Sequence, residues 1–205
     1  MKIKILPVGE LGTNCYILED ETAALAAVID PGDEAERILA QVKADGVQVK
    51  YILLTHGHYD HTGAVPELHK ALPEAEIYIH QADSLGAGGR LFPLANQIDT
   101  LLLYDEGDTL SLGGLTVHVM NTPGHSLGSV VLRVDDVLFT GDTLFAGSCG
   151  RCDLRGGNYE QMLDSLKRLA LLEGDFHVLP GHEAASTLER ERCVNYYMKE
   201  ALSRP

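Results

Sequence analysis

The stretch Thr55-His56-Gly57-His58-Tyr59-Asp60-His61 places three imidazoles and one carboxylate within seven residues. It directly follows the apolar run Tyr51-Ile52-Leu53-Leu54, which predicts a buried strand that ends in a tight loop at a sheet edge. Neutral imidazole and carboxylate suit zinc and other first-row metals, and Gly57 lets the backbone turn so that neighbouring ligands converge. The stretch therefore predicts a metal site. The alternative interpretation is a polar, histidine-rich surface loop.

Three further apolar runs also end beside a glycine and a possible ligand. They lead into Thr122-Pro123-Gly124-His125-Ser126, Gly141-Asp142-Thr143 and Pro180-Gly181-His182. One motif cannot complete a coordination shell. His56 and His58 could share one metal, and Asp60 and His61 could serve a second, but each ion needs further ligands from elsewhere. The three downstream motifs are the candidates for those missing ligands.

In this order the motifs resemble those of the metallo-β-lactamase-fold hydrolase superfamily: HxHxDH at 56–61, TPGHS at 122–126, GDT at 141–143 and PGH at 180–182. Asp30-Pro31-Gly32 fits the same pattern. Within the superfamily, the chain is similar to the glyoxalase II-like (hydroxyacylglutathione hydrolase-like) thioesterases, because Gly141-Asp142-Thr143-Leu144-Phe145 is followed by Gly150-Arg151. Their small single-domain branch is the nearer match, because full-length glyoxalase II has an additional helical domain. The resemblance implies an α+β fold, a four-layer αββα sandwich, with the site at one edge of two packed sheets.

The resemblance also implies two divalent metal ions, with zinc favoured and iron or manganese as alternatives. It implies that His56, His58 and His125 hold one ion, that Asp60, His61 and His182 hold the other, and that Asp142 bridges them. Asp60 is also the nearest proton acceptor, which makes it the candidate catalytic residue. Arg151 is the candidate substrate-binding residue, because a basic side chain at this position would bind an anionic group.

The implied reaction is hydrolysis of a small thioester such as S-lactoylglutathione by a metal-bound hydroxide, since two ions would lower the pKa of a shared water toward ~7. The alternatives are a mononuclear iron persulfide dioxygenase, a lactone or ester hydrolase of the same fold, and a binding protein with a spent site. The ligand set contains no cysteine, which disfavours antibiotic hydrolysis.

Composition predicts one domain over residues 1–205. The resemblance implies that this domain stands without the C-terminal helical domain of full-length glyoxalase II. The chain has 205 residues and 45% hydrophobic content, enough to bury a core. The formal net charge of -14 disfavours a nucleic-acid partner, although bound metals would still attract an anionic thioester. No apolar stretch has the length of a membrane helix or of a signal peptide, so the expected location is cytoplasmic without a membrane partner. The oligomeric state is left open.

Periodicity predicts strands near 2–8, 14–19, 25–30, 50–54 and 76–79, then a series from Leu110 to Thr140. It predicts helices from Glu34 to about Ala44 and from Ala64 to Leu72, and a third that begins with a capping box of Asn158 and Gln161. The segment from Thr187 to Leu202 is predicted to be one final amphipathic helix.

Two further segments are open to interpretation. Residues Ser84 to Thr100 lack clear periodicity and are either a lid over the site or an ordinary surface connection. Cys149 and Cys152 form a CxxC pair, which is either a redox pair or metal clip, or two reduced and partly buried thiols. Four histidines lack a second ligand at metal-binding spacing and are not assigned to the site: His69, His80, His118 and His177.

Overall fold

The computed structural model describes residues 1–84 and 94–204, and in this part of the chain the strands form two six-stranded sheets. The first sheet contains, in sequence order, β1 (Lys2–Val8), β2 (Thr13–Asp20), β3 (Leu25–Ile29), β4 (Gln48–Leu53), β5 (Glu76–His80) and β6 (Leu101–Tyr104). The second contains β7 (Thr109–Leu112), β8 (Leu115–Asn121), β9 (Val130–Val134), β10 (Val137–Gly141), β11 (His177–Pro180) and β12 (Ser186–Thr187), also in sequence order.

Both sheets are mixed. In the first sheet the pairings from β1 to β3 are antiparallel, and those from β3 to β6 are parallel. In the second sheet β10 and β11 pair in parallel, and the other pairings are antiparallel. The parallel strands β3, β4 and β5 alternate with helical connections, as parallel pairing requires a crossover. The carboxyl ends of β4, β10 and β11 each lead into one of the histidine- or aspartate-bearing loops.

The helices lie between and after the strands. They are α1 (Ala35–Asp45), α2 (Tyr59–Thr62), α3 (Val65–Ala71), α4 (Gln81–Ser84), α5 (Tyr159–Ala170), α6 (Leu188–Val194) and α7 (Tyr196–Ser203), with a 3-10 turn at Leu94–Asn96. None of the helices in the described part of the chain has the length and apolar character needed to span a bilayer.

Three apolar cores separate four layers. Adjacent residues of a strand point to opposite faces, so Ile17 packs with α1 and α3 while Leu18 packs between the two sheets. In the second sheet Phe139 faces the other sheet, whereas Leu138 packs with α5 and α7. The order of layers is therefore helices, sheet, sheet, helices, and the predicted αββα sandwich is confirmed.

The two sheets are joined by hydrogen bonds at the edge that carries the histidine-rich loop. The amide of Val130 donates to the carbonyl of Thr55 at 2.8 Å, and the amide of Asn14 donates to the carbonyl of Gly181 at 2.8 Å. Each bond connects a strand of one sheet to a loop of the other, so side chains from both halves of the chain meet at this edge.

The C-terminal segment differs from its prediction as one helix. Asn195 has φ -70° and ψ 120°, which ends α6, and its side chain accepts a hydrogen bond from the amide of Met198 to begin α7. The predicted capping box at Asn158 is half present: its Oδ1 accepts from the amide of Gln161 at 3.0 Å, but Gln161 Oε1 has no hydrogen-bond partner among the described residues. Within the segment from Ser84 to Thr100, residues 85–93 lie outside the described residues.

Candidate metal centre

The structure brings all seven predicted ligands to one sheet edge. They come from the loop after β4, from α2, from the loop between β8 and β9, and from the loops after β10 and β11. The ligand atoms of His56, His58 and His125 lie within 4.8 Å of one another. The same limit holds for a second group, which consists of Asp60, His61 and His182.

Asp142 lies between these two groups. Its Oδ2 is 3.3 Å from His125 Nε2 and 3.7 Å from His182 Nε2, while its Oδ1 is 3.4 Å from His61 Nε2. One carboxylate therefore faces members of both groups, which is the position that a bridging ligand requires.

Three of the histidines are oriented by hydrogen bonds on the Nδ1 side of the ring. His61 Nδ1 is 3.0 Å from Asp30 Oδ2, and His125 Nδ1 is 2.8 Å from the carbonyl of Arg151. His56 Nδ1 is 3.1 Å from Thr55 Oγ1, whose own proton goes to Asp30 Oδ2 at 2.6 Å. All three acceptors are oxygens, so the hydrogen-bond network assigns a proton to each Nδ1 and leaves each Nε2 as a potential metal ligand.

Two polar atoms at the centre are buried without a hydrogen-bond partner among the described residues: His56 Nε2 and Asp142 Oδ1. Burying such atoms unpaired is costly, and native proteins seldom do so. A cation held between the two groups would satisfy both the ring lone pair and the carboxylate. The side chains present therefore fit the metal ions that the motifs imply.

The protonation states also suit metal binding. Burial and the neighbouring histidines lower the pKa of His56 well below its ordinary value, and burial and His125 lower that of His58 to about 4. Both rings are therefore neutral at pH 7, the form that binds a metal. Burial opposes ionisation of Asp142, but the adjacent His61 outweighs it and lowers the pKa of this carboxyl group.

His61 has the opposite shift. Burial would lower its pKa, but the carboxylates of Asp142 and Asp30 raise it well above the ordinary value. In the metal-free protein an imidazolium thus offsets part of the buried negative charge. A metal ion beside His61 Nε2 would take over that role and displace the proton.

A cavity of about 400 Å³ opens over the cluster. It is lined by Leu11, His58, Tyr59, Asp60, His125, Asp142, Phe145, Arg151, Leu154, His182 and Glu183. Arg151 thus lines the cavity, as its predicted role requires. However, its guanidinium forms a two-point ion pair with Asp153, with Nε 2.6 Å from Oδ1 and Nη2 2.7 Å from Oδ2. Its role as the substrate-binding residue stays a prediction.

Asp30 belongs to the repeated sequence pattern, but no role was predicted for it. Its carboxylate is 1% exposed and accepts from both the amide and the hydroxyl of Thr55, in addition to contacting His61. Its φ of 52° lies in the left-handed region, where non-glycine residues are uncommon and often mark functional sites. The available signal was its position directly after the apolar strand β3, the same rule that located the other four motifs.

The unassigned histidines and the cysteines do not join the cluster. In residues 1–84 and 94–204, every group with metal-binding geometry consists of members of the seven predicted ligands. Cys149 and Cys152 are free, half-buried thiols, and burial raises the pKa of Cys149 to about 12. Such thiols are poor nucleophiles at neutral pH, which favours the interpretation as reduced, partly buried side chains.

The fold and this cluster define a two-sheet αββα protein with a candidate metal site at the sheet edge. Residues 8–182 match the family model of the metallo-beta-lactamase superfamily, and the chain belongs to that superfamily. The resemblance inferred from the four motifs is therefore confirmed.

Comparisons with individual proteins agree. The chain is 34% identical over 212 residues to a Haemophilus influenzae protein named hydroxyacylglutathione hydrolase GloC, covering 97% of this chain and 98% of that protein. The crystal structure of the BLEG-1 B3 metallo-beta-lactamase matches with a TM-score of 0.83 at 35% identity, over 96% of this chain and 99% of that one. The crystal structure of TTHA1623 in a di-iron-bound form matches with a TM-score of 0.81 at 36% identity, over 95% and 99% of the two chains.

Proposed function

We propose that the chain is a dinuclear metal-dependent hydrolase that cleaves a small thioester such as S-lactoylglutathione. In this proposal His56, His58 and His125 hold one ion, Asp60, His61 and His182 hold the other, and Asp142 bridges them. The observation that carries the proposal is the convergence of these side chains around His56 Nε2, which is buried and has no hydrogen-bond partner among the described residues.

When bound, the two metal ions supply a hydroxide at neutral pH and polarise the substrate carbonyl. The chain contributes the proton acceptor: Asp60 Oδ2 is 3.2 Å from His182 Nε2 and accepts a hydrogen bond from Thr13 Oγ1 at 3.3 Å. These contacts hold the carboxylate at the mouth of the cluster, and His182 and His61 lower its pKa against the opposing effect of burial. Asp60 is therefore ionised and able to take a proton at pH 7.

The cavity supports a small and partly apolar substrate. Its volume of about 400 Å³ is typical of small-molecule sites, and Leu11, Phe145 and Leu154 give it an apolar wall. An anionic thioester would gain from Arg151 if the substrate carboxylate replaces Asp153. The relative named hydroxyacylglutathione hydrolase supports glutathione as the thiol carrier.

Three alternative activities must be tested beside thioester hydrolysis. The di-iron-bound relative supports iron as the native metal in place of zinc, and manganese is a further option. A single bound iron would favour the first alternative activity, persulfide oxidation. The relative named a B3 metallo-beta-lactamase makes β-lactam hydrolysis a necessary control, although antibiotic hydrolysis was disfavoured from the ligand set. Lactones and simple esters test the remaining hydrolase alternative.

The deciding experiment combines metal analysis of the purified protein with thiol release from S-lactoylglutathione. We expect close to two metal ions per chain and metal-dependent turnover. His58→Ala should reduce turnover by more than about 100-fold, beyond the loss typical for residues outside the coordination shell. The matched control is His177→Ala, which removes an exposed histidine from β11.

The pattern of activity separates the alternatives. One iron with oxygen uptake on a persulfide would replace the hydrolase proposal by the dioxygenase. Two metal ions with turnover of a lactone, ester or β-lactam alone would keep the site and change the substrate. Full activity in metal-analysed His58→Ala protein would refute the proposed site.

The role of Arg151 has its own test. Arg151→Ala should raise KM for an anionic thioester by roughly tenfold, the effect of about one charge-assisted hydrogen bond, and spare a neutral thioester. The steady-state parameters of both substrates give the answer. Equal changes for the two would remove the assigned role.

A further inference from the structure

Asp83 is a fully buried carboxylate in α4 that the proposed reaction does not use. Its Oδ2 accepts hydrogen bonds from the amide of Gly57 at 2.8 Å and from Ser126 Oγ at 2.7 Å. Its Oδ1 accepts from the amide of Gly128 at 2.8 Å. All three donors belong to the two loops beside the metal centre.

The hydrogen bonds from Gly57 and Ser126 come from the immediate sequence neighbours of all three histidines in the first ligand group. Gly57 lies between His56 and His58, and Ser126 directly follows His125. One carboxylate therefore links the loop after β4 in the first sheet to the loop after β8 in the second. Among the described residues, Asp83 forms no hydrogen bond with a histidine ring.

The loops approach Asp83 as closely as glycine permits. A Cβ atom on Gly57 would lie 2.8 Å from the carbonyl oxygen of Asp83, and one on Gly128 would lie 2.7 Å from its Cγ. Both distances are below those that real side chains tolerate. The two glycines and Asp83 thus form one closely fitted unit.

The side chain of Asp83 faces hydrogen-bond donors in this unit. The groups that face it are two backbone N–H donors and one hydroxyl, and a carboxylate accepts all three without carrying a competing proton. Ser126 Oγ is also 2.7 Å from Ser129 Oγ, and Ser129 Oγ accepts from the amide of Ser126 at 3.1 Å. The hydrogen bonds continue into the His125 loop and fix its backbone.

We propose that Asp83 is a positioning residue for the metal site, which holds the two loops in the register that lets His56, His58 and His125 converge on one ion. This inference rests on the proposed metal-dependent function. Asp30 acts differently, because it contacts His61 of the second group directly. Asp30 reaches the first group only at His56, through Thr55 Oγ1, whereas Asp83 is bonded to both loops that carry that group.

Asp20 provides a matched control. It is 4% exposed, and it accepts from two backbone amides and one hydroxyl at short range, those of Thr22 and Gly114. It lies at the far end of β2 from Thr13, the residue that contacts Asp60. Asp20→Asn therefore removes the same kind of hydrogen-bonded carboxylate from the end of β2, where neither it nor its partners Thr22 and Gly114 are next to a predicted ligand.

The test compares Asp83→Asn with Asp20→Asn in the full chain. Zinc and cobalt affinities are measured by chelator competition, and the unfolding temperature is measured on the metal-free proteins. An amide at 83 must turn its NH2 group toward a donor, so one loop loses its bond. We expect both variants to lose metal-free stability, but only Asp83→Asn to bind one of the two ions about 10- to 100-fold more weakly.

Ser126→Ala is the milder variant, because it removes one of the three bonds and leaves both backbone amides paired with Asp83. It should weaken the same ion less than Asp83→Asn does, and it replaces that variant if Asp83→Asn fails to fold. Turnover of the metal-saturated variants gives a second readout.

Unchanged affinity for both ions in Asp83→Asn, or in Ser126→Ala where it is the only folded variant, would overturn the inference. An equal loss in Asp20→Asn would also overturn it, because the effect would then follow from lost stability. A wild-type chain that binds two ions and cleaves no thioester would refute the proposed substrate alone. A wild-type chain that binds no metal would refute both proposals.

Discussion

Two buried carboxylates, Asp142 and Glu191, show how the same chemical group can serve a site or a scaffold. Glu191 in α6 is fully buried, and both of its oxygens are paired: one accepts from the amide of Gly147 and from Asn195 Nδ2, the other from Ser186 Oγ and Arg190. Asp142 is 8% exposed, yet its Oδ1 has no hydrogen-bond partner among the described residues. The two carboxylates differ in whether the described chain supplies hydrogen-bond partners to both oxygens.

A carboxylate with all its partners in the chain has its cost of burial already offset, so its removal should weaken the fold. A carboxylate that lacks a partner within a cluster of metal-ligating side chains, as Asp142 does, fits a ligand position, and its removal should weaken binding and activity. The hydrogen bond from Gly147 to Glu191 also fixes the turn that follows Asp142 and Phe145. Glu191 is therefore bonded to the segment that follows Asp142 in the chain.

The largest expected effect follows from Asp142→Asn. Loss of the shared negative charge should reduce thioester turnover by more than about 100-fold, beyond the loss for outer residues, and should lower metal content. Chelation should then have little effect on the stability of the variant. In the wild type it should remove about 2.7 kcal/mol when the metal is present at 100 times its Kd. Turnover, metal analysis and denaturation with and without chelator provide the measurements.

The control for this prediction is Asp20→Asn, whose carboxylate accepts hydrogen bonds from the amides of Thr22 and Gly114, neither of which is next to a predicted ligand. That variant should keep its metal and its turnover. Wild-type turnover in Asp142→Asn, at unchanged metal content, would show that an unpartnered carboxylate does not mark the ligand position here.

The second prediction reverses the pattern at Glu191. Glu191→Gln places an NH2 group among donors, so at least one buried donor loses its partner, and the free energy of unfolding should fall by ~1–3 kcal/mol. Turnover per folded molecule and metal content should stay close to wild type. Urea denaturation of the metal-free protein measures the loss, with Glu189→Gln on the exposed side of the same helix as the control.

If Glu191→Gln instead lost activity in proportion to metal content while its stability was unchanged, the turn at Gly147 would belong to the site. The distinction between the two carboxylates would then be wrong.

Local patterns predicted most of the fold and the convergence of the seven candidate ligands. Each ligand follows an apolar strand and stands next to a glycine or in the HxHxDH motif, and strand ends meet at sheet edges. The superfamily and the αββα layers are confirmed, whereas the metal roles of the seven residues and the single domain over 1–205 stay predictions.

Features that depend on long-range partners were not predictable in this way. Asp83 carries no motif, and its importance appears only when Gly57 and Gly128 meet it in space. The break between α6 and α7 was missed because Asn195 interrupts an otherwise helical pattern, and its side chain contacts the carbonyl of Ser148 far away in sequence. The strand β6, which follows the aperiodic segment, pairs with β5 and was also not assigned.

The smallest expected effect is the pH dependence of the scaffold carboxylate. Burial opposes ionisation of Glu191, but hydrogen bonds from Ser186 and Gly147 outweigh it and lower the pKa below its ordinary value of 4.5. Stability from such a group is fully present above the unfolded-state pKa and is lost as the pH falls through the lower folded-state pKa. The stability difference between wild type and Glu191→Gln should therefore be constant near neutral pH and shrink below about pH 4.5.

Urea denaturation of both metal-free proteins between neutral and acidic pH tests this, since their other carboxylates are identical and cancel in the difference. A difference that grows on acidification would mean that the protonated form of Glu191 is the one the native fold prefers, and the fully paired carboxylate would not be the stabilising species.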